Sequence, residues 1–155
     1  MSWHGPNRYF AYGSNMNPAR VRERGLVVVA VMAARLPSYE LLFDKVARDH
    51  AHIGHANIAP AHGSSVEGVL YELASEVEIL KMDRFESTPV NYSREVVAVQ
   101  TAEGPLAAWT YIANRAVRHS GRRPSRAYVA HLLEGAPYLS PDYLARLRAL
   151  EVHDA

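Results

Sequence analysis

The chain has 155 residues, 48% hydrophobic and 21% charged, with a formal net charge of +1; this fits one soluble globular domain able to bury a core and gives no bulk charge to draw nucleic acid or an anionic membrane. It contains no cysteine, which excludes disulfides, thiolate nucleophiles and cysteine-ligated metals, and the cytoplasm is the expected location. No apolar run approaches the ~20 residues of a membrane span, and Met1-Ser2-Trp3-His4-Gly5-Pro6 lacks the apolar stretch of a signal peptide.

The first predicted elements lie in Arg8-Tyr9-Phe10-Ala11-Tyr12-Gly13-Ser14-Asn15-Met16-Asn17-Pro18. Tyr9 to Tyr12 have strand propensity, and Gly13 tolerates backbone angles closed to other residues. Asn17 followed by Pro18 is a helix start, with a capping side chain and then a residue whose missing N–H costs nothing. The turn between strand and helix gathers backbone N–H groups, with the Ser14 and Asn15 side chains, at one spot. Such a spot suits a carboxylate or a developing oxyanion. Read alone, it is better taken as an ordinary strand–turn–helix connection, because it has neither the lysine nor the spacing of phosphate-binding loops.

This first helix should run from about Asn17 to Arg24 and stop at Gly25. Leu26 to Ala34 is a near-continuous apolar run suited to a buried strand, and Tyr39 to Phe43 is a further strand. Ala47 to Gly63 is polar and histidine-rich, punctuated by Gly54, Pro60 and Gly63, and reads as turn-like. Val66 to Leu73 alternates as a strand. Ser75-Glu76-Val77-Glu78 has the form of a capping box and opens a helix ending near Phe85 or Glu86, ahead of Ser87-Thr88-Pro89. Tyr92 to Thr101 and Leu106 to Ala113 are strands joined by a turn at Glu103-Gly104-Pro105. One closing helix starts near Pro124-Ser125 and ends before Gly135; the other has Ser140 as N-cap and Pro141 after it. No linker or repeat divides the sequence. The pattern predicts a single α+β domain, a small mixed, strongly curved or barrel-like β-sheet with flanking helices.

On the central helix Ile79, Met82, Asp83 and Glu86 share one face. Glu86 continues an apolar stripe and lies in the last turn, where the helix dipole disfavours negative charge. A carboxylate so placed should have a raised pKa, as a group that takes and returns protons near neutrality requires. The plainer reading is a glutamate that bends out to solvent, with Asp83 pairing Arg84 or Arg94. Tyr92 and Tyr111, on successive strands, could wall a small cavity with their hydroxyls aimed inward; as ordinary amphipathic tyrosines they would simply pack.

Other constellations are weaker. His50, His52, His55 and His62, with Asp49 nearby, invite a metal reading, but they match no His-Glu-x-x-His helix and read better as surface or turn-stabilising residues. Ser14 with these histidines could suggest a serine hydrolase, yet the G-x-S-x-G elbow is missing. The cluster Arg115, Arg118, Arg122, Arg123 and Arg126 lacks the interleaved aromatics of a nucleic-acid groove and reads as a solvated loop.

Tyr9-Phe10-Ala11-Tyr12-Gly13-Ser14-Asn15-Met16 resembles the opening motif of the gamma-glutamylcyclotransferases. Gly54-His55-Ala56-Asn57-Ile58, Val66-Glu67-Gly68-Val69-Leu70-Tyr71, Met82-Asp83-Arg84-Phe85-Glu86, Tyr92 and Trp109-Thr110-Tyr111 follow in that family's order. So do Pro124-Ser125-Arg126-Ala127-Tyr128 and the tail from Gly135-Ala136 through Tyr143 to Leu147-Arg148-Ala149-Leu150-Glu151. The resemblance implies a barrel-like mixed sheet with a cavity at the end of the first strand. It implies release of 5-oxoproline from a small-molecule γ-glutamyl amide, with no cofactor, metal, nucleic acid or membrane, by a cytoplasmic homodimer. By motif match Glu86 is the catalytic acid/base, and Tyr12, Gly13, Ser14 and Asn15 form the loop that holds the γ-glutamyl group. Tyr92 and Tyr111 are assigned to the cavity wall and substrate positioning. Asn15 departs from the glutathione-specific branch, which has Leu after Gly-Ser, and Arg84-Phe85 departs from the mammalian type. The amine half stays open: amino acids, glutathione, polyamines, isopeptide lysine and an antibiotic intermediate all present the same γ-glutamyl end. Two rivals remain from other classes. One is a non-catalytic γ-glutamyl- or carboxylate-binding module of the same fold, and the other is an interaction protein using the Arg115–Arg126 loop.

Overall fold

The computed structural model describes residues 5–153, so most of the N-terminal segment read for a signal peptide lies outside the described residues. Strands β1 (Arg8–Ala11), β2 (Val28–Val46), β3 (Gly54–Leu73), β4 (Tyr92–Thr101) and β5 (Gly104–Ala113) close into a barrel in the order β1-β3-β2-β4-β5. β1 pairs antiparallel with β3, from Arg8↔Glu72 to Ala11↔Val69, and parallel with β5 at Tyr9↔Trp109. That one parallel contact makes the sheet mixed and removes its open edge. Helices α1 (Pro18–Glu23), α2 (Ile79–Phe85), α3 (Arg126–Leu133) and α4 (Pro141–Arg148) flank it. Among the described residues no helix is long and apolar enough to cross a membrane.

The core follows strand alternation. Phe10, Ile58, Val66, Leu70 and Val99 pack together from one face of the sheet. Val69, Tyr71 and Leu73 leave β3 on the other face and meet Val21, Ile79, Met82, Leu132 and Leu147 from the helices. Helix starts follow the sequence signals at α1, α3 and α4. The side chains of Asn17, Ser125 and Ser140 accept from the N–H groups of Ala19, Tyr128 and Tyr143.

Several local expectations are corrected. Leu26 to Ala34 is not a buried strand: the 19-residue β2 begins only at Val28, and Val27 and Val29 stand 51% and 60% exposed. β2 also absorbs Tyr39 to Phe43, crossing Pro37 and Ser38 at a register shift where Ser38 takes φ 65°, the kind of irregularity that accommodates proline in a sheet. Much of the segment expected to be turn-like is strand. β3 starts at Gly54, and pairing with β2 through Val46↔Gly54, Lys45↔His55 and Leu41↔Ile58 overrides the local turn signals.

The capping box does not form. The Glu78 carboxylate instead accepts from the Val27 N–H at 3.0 Å and pairs with Lys81 at 2.8 Å, so α2 begins only at Ile79. The turn expected at Glu103-Gly104-Pro105 is shorter, because Gly104 and Pro105 already belong to β5 and pair with Thr101 and Gln100. The arginine loop is strapped to its own chain rather than merely solvated. Arg118 pairs with Asp44 at 2.9 Å, Arg123 pairs with Glu151 at 3.0 Å, and Arg122 donates to the Ala51 carbonyl at 3.0 Å.

Candidate active site

A cavity of about 300 Å³ opens where the end of β1 meets the helices. Glu86, Tyr12, Gly13, Ser14, Asn15, Tyr92 and Tyr111 all line it. Residues far apart in the chain converge because β1 ends there, β2 ends there, and β3 and β4 begin there.

Glu86 caps the C-terminus of α2, with its N–H donating to the Met82 carbonyl at 3.1 Å. Ile79 and Met82, on the same stripe, are buried in the core and fix the helix. The stripe therefore delivers the carboxylate into the cavity. Burial pushes the Glu86 carboxyl up to about 7, against the opposing pull of the Arg24, Lys45 and Arg20 charges and of a hydrogen bond from Asn15. Neutrality thus finds this group near its midpoint, where it can both accept and release a proton.

The turn after β1 is a short 3-10 segment, Ser14–Met16. Asn15 is 3% exposed and ties the wall together. Its amide donates to Glu86 Oε1 at 3.2 Å and to the Tyr9 hydroxyl at 2.9 Å, while its Oδ1 accepts from Arg24 at 3.2 Å. The Gly13 backbone has φ −112° and ψ −141°, so the positive-φ freedom of glycine goes unused. Glycine is needed for space: a Cβ there would stand 2.9 Å from the Tyr128 hydroxyl and 3.1 Å from Ala56 Cβ.

The tyrosines form a rigid floor. The Tyr92 hydroxyl donates to the Ala56 carbonyl at 2.9 Å, and the Tyr12 hydroxyl donates to the Tyr111 carbonyl. The Tyr111 hydroxyl donates to Asp83 Oδ1 at 2.7 Å, and that carboxylate also pairs with Arg94 at 2.9 Å. The rings wall the cavity as expected, but these three hydroxyls are spent on the protein rather than aimed inward. Burial and then the Glu86 charge raise the Tyr12 pKa, and burial and then its neighbouring tyrosine Tyr12 raise that of Tyr92, so both stay protonated donors.

Other lining residues were given no role in the site by the sequence. Tyr128, from α3, accepts the Ala56 N–H at 3.0 Å, and burial pushes its hydroxyl up to about 12. His55 stacks on the Tyr128 ring with centroids 4.8 Å apart, and burial lowers its pKa to about 4, leaving it neutral. Arg20, Arg24, Lys45 and Arg48 bring positive charge to the wall. A residue reaching a cavity from a distant strand is visible only once the strands are paired.

The remaining histidines go elsewhere. His50 and His52 pack edge-to-face at 5.7 Å, and His153 sits 4.7 Å from His50. Among the described residues no group of His, Asp or Glu is arranged to hold a metal.

Residues 9–130 match the family described as gamma-glutamyl cyclotransferase, AIG2-like. Among solved structures, an uncharacterized human protein, loc79017, is 26% identical with a TM-score of 0.82, covering 96% of this chain and 89% of its own. A protein described as gamma-glutamyl cyclotransferase is also 26% identical, with a TM-score of 0.81 and the same coverage of 96% and 89%. YkqA from Bacillus subtilis shares the fold at 23% identity and a TM-score of 0.81, over 96% of this chain and 56% of its own. No curated protein matches in a sequence search. The barrel, its flanking helices and the matched segment agree: this chain belongs to the gamma-glutamyl cyclotransferase, AIG2-like family.

Proposed function

We propose that this protein cyclises γ-glutamyl amides, releasing 5-oxoproline and an amine. The observation that carries the reading is Glu86, a carboxyl raised to about 7 and hydrogen-bonded to Asn15 of the Gly13–Asn15 turn at 3.2 Å in the wall of one small cavity. Glu86 takes a proton from the α-ammonium of the substrate. The freed amine attacks the γ-carbonyl carbon of the same molecule, forming the ring C–N bond and a tetrahedral oxyanion. The ring nitrogen then loses its second proton to water, the amide C–N bond breaks, and Glu86 returns its proton to the departing amine. Nucleophile, electrophile and leaving group all belong to the substrate, so the protein has only to fold it back, carry a proton from the nucleophile to the leaving amine and hold the charge.

Holding the chain in the folded-back pose supplies much of the acceleration. A placed proton shuttle adds about 10²–10⁴-fold, and each donor to the oxyanion about 10²–10³-fold. The Gly13–Asn15 turn takes the α-carboxylate or the γ-carbonyl oxygen, and the tyrosine floor fixes the shape into which the ring closes.

The test is mass-spectrometric detection of 5-oxoproline after incubation with a panel of γ-glutamyl amides. Product from the wild type and none from Glu86→Gln is expected. Thermal stabilisation by the amides without any product would instead favour a non-catalytic binding module.

A further inference from the structure

The cavity wall holds more positive charge than a γ-glutamyl group alone can use. Arg20 reaches the cavity from α1, Lys45 from the end of β2, and Arg48 from just beyond it; Glu86 is the carboxylate among the lining residues. Arg24 is already engaged by the Asn15 amide oxygen at 3.2 Å and lies 4.9 Å from the centre of the Phe85 ring.

The other cations are not engaged in this way. Lys45 is 6% exposed, and among the described residues its ammonium makes no hydrogen bond or ion pair, its ring neighbour Tyr92 lying 6.0 Å away. The Arg20 Nε is buried with no hydrogen-bond partner. Arg48 stands exposed, likewise without an ion pair among the described residues. Lys45 and Arg20 act through their charges on Glu86, but that one carboxylate faces four cationic side chains in the wall, Arg20, Arg24, Lys45 and Arg48, and an excess of positive charge in a partly buried site is ordinarily matched by an anion. A γ-glutamyl group is a zwitterion whose ammonium is served by Glu86 and whose carboxylate occupies one cation at most.

We infer that the amine half of the substrate carries carboxylates of its own, held by Lys45, Arg20 and Arg48, so that the cavity selects γ-glutamyl conjugates of acidic amino acids over neutral or cationic amines. This rests on the cyclotransferase reading and adds a substrate class to it. Lys45, buried beside Tyr92, anchors one carboxylate close to the scissile amide. Arg20 and Arg48 collect the second nearer the mouth. A cationic amine half would meet like charge from each of them.

The experiment compares kcat/KM for 5-oxoproline release from γ-glutamyl-glutamate, γ-glutamyl ethylamide and γ-glutamyl-putrescine. The acidic conjugate should exceed the ethylamide by about tenfold or more, the discrimination given by one charge-assisted hydrogen bond, and putrescine should be the poorest. Lys45→Met and, as an exposed-site variant that leaves the fold untouched, Arg48→Gln should each narrow the acid-to-ethylamide ratio, through KM rather than kcat. Product released at similar kcat/KM from all three amides would overturn this inference and leave the cyclotransferase reading standing. An acid preference unchanged in both variants would overturn the assignment to these residues. No product from any amide would overturn the reading beneath it as well.

Discussion

Two sets of side chains in the cavity wall are built in opposite ways. Tyr12, Tyr92 and Tyr111 donate their hydroxyls to the Tyr111 carbonyl, the Ala56 carbonyl and Asp83, so polar groups are satisfied within the protein. Arg20 from α1, Lys45 from the end of β2 and Arg48 beyond it bring positive charge to the same wall, where Glu86 is the one carboxylate among the lining residues. Satisfied groups fix a shape, and unsatisfied ones wait for a ligand. Glu86 sits among them, hydrogen-bonded to the Asn15 amide that also holds the Tyr9 hydroxyl, and acted on by the charges of Lys45 and Arg20.

The largest effect should come from the group between them. Glu86→Gln should lower kcat by at least 10²–10⁴-fold, with binding and the folded state retained; steady-state kinetics and thermal melts check this. The same variant should change how stability depends on pH. Folding raises the Glu86 pKa, so the folded state holds its proton up to about 7, where the unfolded chain has already lost it. Stability contributed by this group is therefore full at acidic pH and declines as pH rises to about 7. Denaturant unfolding across that window should show the decline in the wild type and not in Glu86→Gln.

Next is the fit of the turn against the floor. In Gly13→Ala the new Cβ must be accommodated 2.9 Å from the Tyr128 hydroxyl, at a cost of about 1–3 kcal/mol and with a raised KM. Adding Tyr128→Phe should recover part of both losses. No recovery in the double variant would show that the turn is shaped by something other than this contact.

A smaller change probes the link through Asn15. Asn15→Ala removes a donor that favours the ionised Glu86, so the acidic limb of the pH–rate profile should move upward by about half to one pH unit. Smallest of all is Tyr111→Phe, which deletes the donor to Asp83 but leaves the ring in the wall. It should cost about 1 kcal/mol of stability and change kcat less than the other substitutions; a large kcat loss would mean that this hydroxyl belongs to the chemistry.

The same division separates what the sequence reveals from what it hides. Helix caps at Asn17, Ser125 and Ser140 are local, and the Ile79–Met82–Glu86 stripe is a matter of helical spacing, so both are legible without a structure. The opening motif likewise marks the β1 turn. The cationic side is not legible, because Lys45 and Arg48 gain meaning only when the long β2–β3 pairing brings the end of β2 to the end of β1. That pairing was itself obscured, since Gly54, Pro60 and Gly63 are turn signals overridden by register with β2. Tyr128 was hidden for a related reason: it reaches the cavity from α3, and no local pattern in the α3 segment points toward Gly13. The expected capping box failed because Val27 and Lys81 compete for Glu78.

The central claim is that Glu86 is a proton shuttle poised at neutrality. The most direct measurement is an NMR titration of its carboxyl carbon in the full chain, assigned by its loss in Glu86→Gln and set beside the pH dependence of kcat/KM for 5-oxoproline release. A midpoint near 7, shared by the titration and the rate, is expected. A carboxyl titrating in the ordinary glutamate range of about 4–4.5, with a rate limb elsewhere, would contradict it.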